Sequence, residues 1–310
     1  MRVVSMEEFG GPDVLHLAEA PQPQPGWAEV LVRVHAAGVN RADTRQRGGE
    51  GPLSFPIILG YDVAGVVAQI GRGVTIFSPG DEVYGMPRFP EQAGGYAEYV
   101  TGPSRHFDKK PSSLSFEEAA AMPLSGLTAW QALVETANIR PGQRVLIHGA
   151  SGAVGVPAVQ IARTRGAYVI GTAKASTHDA LRRLGVDELI DYTTTRFEDV
   201  VDTVDLVVDL VGGEYPARSV SVLRPGGLLI SVPGPFDGDV AALAAAAGVR
   251  VTDIMVEPDH AGLQHLSDLV EQGLLAVKVG AVLPLEAASQ AHRLAESHEV
   301  DGKVILSVCG

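Results

Sequence analysis

Cysteine is nearly missing from this 310-residue chain: the one present, Cys309, stands beside the C-terminus. A single thiol excludes an internal disulfide framework and a thiolate metal cluster within the chain. Basic charge is also short, with 24 Lys and Arg against 37 Asp and Glu and a formal net charge of −13. No basic stripe is visible, so no nucleic-acid partner is expected, since such partners require a cationic footprint. No uninterrupted apolar stretch approaches the length of a membrane span, and the opening MRVVSMEEFGG has acids where a signal peptide needs an apolar core. What is there, 45% hydrophobic and 20% charged residues over a length sufficient for two ordinary domains, belongs to the globular class. A cytoplasmic protein with no membrane association is expected.

The chain is organised around residues 144–166, RVLIHGASGAVGVPAVQIARTRG. Val145, Leu146 and Ile147 read as a short apolar strand. A glycine turn follows, and Val156, Val159 and Ile161 with Ala158 and Ala162 let the next segment bury one face of a helix. Strand, glycine turn and helix in that order are the setting a dinucleotide fingerprint requires. The frame here is Ala150-x-Gly152-x-x-Gly155, with alanine in place of the first glycine. Gly152 lets backbone approach a pyrophosphate, Gly155 lets helix and strand pack closely, and the helix N-terminus offers N–H groups and a partial positive charge. Ser151, Gly152, Ala153, Val154 and Gly155 are therefore the expected phosphate cradle.

Ahead of this stretch the sequence is dense in turns and short strands. Pro21, Pro23, Pro25 and Gly26 mark an extended loop, residues 29–37 (EVLVRVHAA) alternate as a half-buried strand, and 57–70, 80–84 and 94–100 add further strand regions. Together they predict a β-rich domain of about 120 residues. Ser115 with Glu117 and Glu118 opens a helix through 121, and 126–137 reads as another. Beyond the fingerprint, short apolar strands at 168–172, 188–191, 205–210, 228–232 and 249–254 are separated by helix-length segments, which predicts a doubly wound parallel sheet. The closing helices at 261–272 and 285–296 and strands at 278–283 and 303–308 have no sheet of their own and are expected to rejoin the first domain. The predicted class is α/β: a Rossmann sheet at 124–257 inserted into a β-rich domain built from 1–123 and 258–310.

In NAD-binding versions of the fingerprint an acid about 20 residues further on takes the ribose hydroxyls. That place reads Thr172-Ala173-Lys174-Ala175-Ser176, with no acid before Asp179. Lys174 beside hydroxyls suits a 2′-phosphate, so NADPH is the expected cofactor, with Thr172 and Lys174 at its adenosine end; the alternative for Lys174 is a solvated surface lysine. Tyr192, after the third parallel strand, either flanks the same phosphate or packs. Val211 and Val232, at the ends of the next two strands, complete the expected cofactor set. A catalytic zinc needs three protein ligands. The nine histidines are scattered, and His260 and His265 are spaced off a common helix face, so no metal site is expected.

Several long motifs in order, GGPDVL, AAGVNRADTRQRGG, FPIILGYDVAGVVAQIG, GDEVYG, GGYAEYV, PLSGLTAWQAL, HGASGAVG, LRPGGLLISV and DGKVILSV, resemble the zinc-independent, zeta-crystallin-like quinone oxidoreductases of the medium-chain dehydrogenase/reductase superfamily. The resemblance runs over nearly the whole chain. It implies that the β-rich domain is GroES-like, that the nicotinamide of NADPH reaches toward Asn40 and Thr128, and that the protein is a homodimer, with the edge strand at 249–254 a place for two sheets to join. It also implies that Asn40 and Tyr61 stand where zinc-dependent relatives carry a cysteine and a histidine ligand. Departures from the family pattern fall at Arg45 and near Gly51, where bacterial members often carry tyrosines, and in the loop His298-Glu299-Val300-Asp301, where an arginine is usual.

Hydride transfer to an acceptor needs positioning and stabilisation of the developing oxyanion. Asn40 is a candidate donor or a turn residue; Tyr61 is a candidate proton donor or a buried structural tyrosine; Arg45 is a candidate anion holder or, with Arg41 and Arg47, part of a solvated basic loop. The expected activity is NADPH-dependent reduction of a quinone or of a double bond activated by a carbonyl. Two alternatives stay open: an enoyl-thioester reductase of polyketide or fatty-acid type, and a non-catalytic NADPH-binding sensor or structural protein.

Overall fold

The structure, a computed structural model, describes residues 1–51, 54–236, 238–297 and 299–308, so Cys309 and His298 lie outside the described residues. It divides into two compact units, Met1–Leu127 with Glu257–Gly310, and Thr128–Val256. The first boundary falls later than the expected 123/124 because Gly126 packs against Leu266 of the first unit, where an added Cβ would stand 2.8 Å from Leu266 Cδ1.

The first segment carries β1 (Arg2–Met6), β2 (His16–Glu19), β3 (Glu29–Gly38), α1 (Arg41–Arg47), β4 (Ile57–Ile58), β5 (Asp62–Ile70), β6 (Glu82–Gly85), β7 (Tyr99–Pro103), β8 (Phe107–Lys109), α2 (Phe116–Ala120) and α3 (Pro123–Trp130). The second unit carries β9 (Arg144–His148), α4 (Gly155–Thr164), β10 (Tyr168–Ala173), α5 (His178–Leu184), β11 (Glu188–Asp191), β12 (Val204–Asp209), α6 (Tyr215–Ser219), β13 (Leu223–Ser231), α7 (Val240–Ala247) and β14 (Arg250–Asp253). The returning segment adds α8 (His260–Glu271), β15 (Val279–Pro284), α9 (Ala288–Ser297) and β16 (Lys303–Ser307).

The spine of the first unit is β3. It pairs antiparallel with β5 along its length, with β7 over its first half and with β16 over its last residues, through Leu306↔Ala37 and Ser307↔Ala36. A strand enclosed in this way buries consecutive residues, which is why Val30, Leu31, Val32, Ala36 and Ala37 are all inaccessible where the alternation of the sequence predicts a half-buried strand. The closing strand thus rejoins the N-terminal sheet. A buried charge fastens it there: Lys303, 7% exposed, donates to Asn40 Oδ1 and, at 3.3 Å, to Asp62 Oδ2.

The second unit is a six-stranded parallel sheet in the order β11-β10-β9-β12-β13-β14. Counted within the unit this is 3-2-1-4-5-6, the dinucleotide-fold order, and its direction of winding reverses between β9 and β12. Between β11 and β12 the expected helix shrinks to one tight turn at Phe197–Asp199, anchored by the buried Phe197 ring.

Removing the Lys303 ammonium leaves Asp62, fully inaccessible, without its cation. Lys303→Met is expected to cost about 3–5 kcal/mol of stability in chemical denaturation. A loss under about 1 kcal/mol would show that the pair does not hold the return strand.

Candidate cofactor site and its flanking residues

Strand β9 ends at His148, and Gly149 then turns the chain with φ +71°. Ala150 occupies the first fingerprint position with its methyl buried. Gly171 of β10 makes that possible, since an added Cβ there would stand 2.9 Å from Ala150 Cβ. At Gly155 a Cβ would lie 2.2 Å from the Gly149 carbonyl oxygen, so the start of α4 can sit against the turn only as glycine. Gly149 also accepts from Gly152 N–H at 2.9 Å. Among the described residues the N–H groups of Ser151, Ala153, Val154 and Gly155 meet no acceptor, and the first turn of α4 carries no acid. Free donors at the N-terminus of a ten-residue helix, beside a turn kept open by glycine, fit a pyrophosphate.

Behind the turn lies a row of polar side chains of which sequence reasoning brought forward only Thr172. Thr172, His148, Asp209 and Ser231 are paired neighbours across β10, β9, β12 and β13, all at the carboxyl ends of the strands and all inaccessible to solvent or nearly so. Three of them are bonded to loops and His148 to helix α6. The Thr172 hydroxyl accepts from Gly149 N–H at 3.2 Å and meets His148 Nδ1 at 3.2 Å; His148 Nε2 meets Ser219 Oγ at 3.0 Å. Asp209 takes the N–H groups of Val211 and Gly212, and Ser231 donates to Gly234 O at 2.8 Å. The available signal was a polar residue closing an apolar run, as in RVLIH and DLVVD. Thr172, expected to touch the cofactor directly, instead has its hydroxyl engaged inside the protein.

At the adenosine end Lys174 is exposed, and its ammonium has no partner among the described residues. Tyr192, 44% exposed, follows β11, and Val211 is likewise open at 41%, while Val232 is half-buried with its N–H on Asp209 O. Asp191 brings an acid to this end through its pairing with Ala173, which sequence spacing did not bring forward. Its carboxylate is occupied by Thr193 N–H and Oγ1, which hold it below the usual range. Thr128, in the second unit, is buried.

In the first unit Asn40 precedes α1 and closes a capping box with Asp43, whose Oδ2 accepts Asn40 N–H at 2.8 Å. The Asn40 amide then bridges inward: Nδ2 donates to Asp62 Oδ2 at 2.9 Å and Oδ1 accepts from Lys303. Asp43 also takes Gly60 N–H, and burial pushes its carboxyl up to about 7. Tyr61, expected to aim its hydroxyl at an acceptor, is 1% exposed and donates to Pro90 O at 3.0 Å, with Phe89 edge-on at 4.8 Å. Burial raises the hydroxyl's pKa further. Arg45 is exposed and paired with Glu50 at 2.6 Å.

Known proteins match this arrangement. Residues 26–112 match the alcohol dehydrogenase GroES-like domain family and residues 184–306 the zinc-binding dehydrogenase family. The quinone oxidoreductase of Rattus norvegicus is 33% identical over an alignment covering 99% of this chain and 97% of the rat protein. The chain belongs to the quinone oxidoreductase family of the medium-chain dehydrogenase/reductases. Two solved structures of its relatives superpose over nearly the whole chain. The Escherichia coli quinone oxidoreductase complexed with NADPH gives a TM-score of 0.90 at 29% identity, covering 99% of this chain and 100% of that one. An NAD-dependent alcohol dehydrogenase gives 0.91 at 37%, covering 100% of both. Among the described residues no group of three or more His, Cys, Asp or Glu is arranged to hold a metal ion.

His148 and its counterpart in the first unit, His292, are both wholly buried, and burial with a neighbouring arginine, Arg218 or Arg47, pushes each imidazole down to about 3. In the unfolded chain each takes a proton below about pH 6.5 while the folded form does not, so each draws the protein toward unfolding as pH falls from 6.5 toward 3, by up to about 1.4 kcal/mol per pH unit. Neither ring is expected to titrate between pH 5 and 8 by NMR. A midpoint inside that window would mean that the ring is hydrated.

Proposed function

We propose that this chain reduces quinones with NADPH. The observation that carries the acceptor class is the engagement of the candidate donors of the first unit: the Tyr61 hydroxyl is on Pro90 O, both ends of the Asn40 amide are bonded to Asp62 and Lys303, and Asp43 is fully enclosed. When bound, NADPH supplies a hydride. A quinone that accepts it becomes a hydroquinone anion, which water protonates, so the protein need supply no acid. Reduction of a double bond conjugated to a carbonyl leaves an enolate or its carbon equivalent, which gains from a positioned proton donor. The donors being tied inward favours the quinone.

The residues that would hold the cofactor are the free N–H groups of Ser151, Ala153, Val154 and Gly155 at the pyrophosphate, with Lys174 and Tyr192 at the adenosine end. Lys174 favours NADPH over NADH because its ammonium has no partner among the described residues and the acid that the sheet brings beside it, Asp191, is already bonded. NADPH oxidation by the purified protein is expected to be fast with a benzoquinone and a naphthoquinone and at least about tenfold slower with an alkenal or an enoyl thioester. Lys174→Ala is expected to lower the NADPH-to-NADH preference about tenfold, the worth of one good charge-assisted contact. A faster alkenal would overturn the acceptor class, an NADH preference in the unaltered protein would overturn the reading of Lys174, and binding of NADPH without oxidation by any acceptor would favour a sensor.

The same reading carries a homodimer formed along β14. That strand is one of the two edges of the six-stranded sheet, and Met255 beside it is 68% exposed. Light scattering is expected to give the mass of two chains, and replacing Asp253 by proline, which removes an outward-facing edge donor because the neighbouring Ile254 N–H is the one turned inward to Ser231 O, is expected to give monomers. A monomeric unaltered chain would refute the pairing.

A further inference from the structure

His148 and the two hydroxyls that bracket it have a fixed direction of hydrogen bonding. The Ser219 hydroxyl donates to Tyr215 O at 2.7 Å, so its oxygen has only acceptor capacity left for His148, and Nε2 must carry the proton. A neutral imidazole then presents Nδ1 as acceptor, and the proton it receives is that of Thr172. The Thr172 oxygen in turn accepts Gly149 N–H. The chain of donors runs from Gly149 N–H to Thr172, His148, Ser219 and the Tyr215 carbonyl without a break or a reversal. Aromatic faces exclude water from it: Phe197 at 4.5 Å and Tyr215 at 4.9 Å pack on the imidazole.

One end of this chain is the N–H of the His148–Gly149 peptide, and the carbonyl of the same glycine, one peptide further on, receives Gly152 N–H and would be struck by any side chain at position 155. The other end is the first turn of α6. We propose that Thr172, His148 and Ser219 form a positioning relay that sets the orientation of the Gly149 peptide and so the spacing of the free N–H groups at Ser151, Ala153, Val154 and Gly155. This rests on the nicotinamide-cofactor reading above. It assigns Thr172 a role through the turn instead of at the ribose, and it makes the relay indifferent to which dinucleotide binds, because the pyrophosphate is common to NADPH and NADH.

The test is calorimetric titration of the folded protein with NADPH and, separately, NADH, with no acceptor present. Thr172→Val keeps the shape of the side chain but leaves Gly149 N–H and His148 Nδ1 without partners. It is expected to weaken both cofactors by the same factor, about tenfold, and Thr172→Ser, which restores the hydroxyl, is expected to return both to within about threefold. Ser219→Ala, remote from the turn, is expected to weaken both in the same proportion by a smaller factor, and it carries the test if Thr172→Val does not fold. Loss of NADPH affinity alone would mean that Thr172 meets the 2′-phosphate directly and would overturn the relay. So would variants that melt at lower temperature with both affinities unchanged, as a merely structural role requires. Failure of the unaltered chain to bind either cofactor would instead overturn the cofactor reading itself.

Discussion

The first unit depends on one buried ammonium. Its sheet is made from two stretches of chain separated by the whole of the second unit, so its last strand must find β3 without help from sequence proximity. Apolar burial draws β16 in but is tolerant of slippage, and a one-residue slip would turn every side chain to the opposite face. Lys303 removes that tolerance. Its ammonium is inside, and only one register brings it to the Asn40 oxygen and the Asp62 carboxylate. The same contact fixes Asn40, whose backbone and side chain then orient Asp43 and the start of α1. A buried pair of this kind adds little net stability compared with an apolar substitute, and its worth lies in choosing one register among several.

Because Asn40 and Tyr61 are held inward by this network, the chemistry open to the first unit is narrower than its residue types suggest. An amide, a phenol and a carboxylic acid with a pKa near 7 would together make a capable acid and oxyanion site if they faced an acceptor. The hydrogen bonds direct each of them into the protein. On the function proposed above, the rate of reduction then depends on how well the acceptor is positioned and on how readily it accepts a hydride.

Periodicity and glycine spacing made the architecture legible before any coordinates. The strand, turn and helix at 144–166, the alternation that follows and the orphaned closing strand specify the inserted parallel sheet, because these features are local or follow from the absence of a partner. Hydrogen-bond direction was not legible. Thr172 lies where an adenosine contact belongs by spacing, and only the register of β10 against β9 shows that its hydroxyl faces His148. Tyr61 reads from the sequence as a candidate proton donor or a buried structural tyrosine, and only the return of the chain at Pro90 shows what its proton meets. Lys303 sits in an ordinary strand sequence, DGKVILSV, and nothing near it in the chain announces that it is buried.

Both units use histidine in the same way, and the reason is chemical. A neutral imidazole offers one donor and one acceptor in a rigid plane, so it joins two segments only if its neighbours agree on direction. In the second unit Ser219, already donating elsewhere, sets that direction. In the first unit Arg47 sets it, since a guanidinium can only donate: it meets His292 Nδ1 at 3.0 Å, which leaves Nε2–H for the Tyr96 oxygen at 3.1 Å. Tyr96 then keeps its own proton, which burial and the nearby Asp43 and Asp62 carboxyls hold on the ring by raising its pKa. A protonated imidazole would have no acceptor to offer Arg47 and would bring two cations together in a buried space, so charge on either ring is incompatible with the segment it joins. The low pKa of both histidines is therefore part of how they tie the chain together: α9 to α1 and the segment at Tyr96 in one unit, and α6 to the glycine turn in the other.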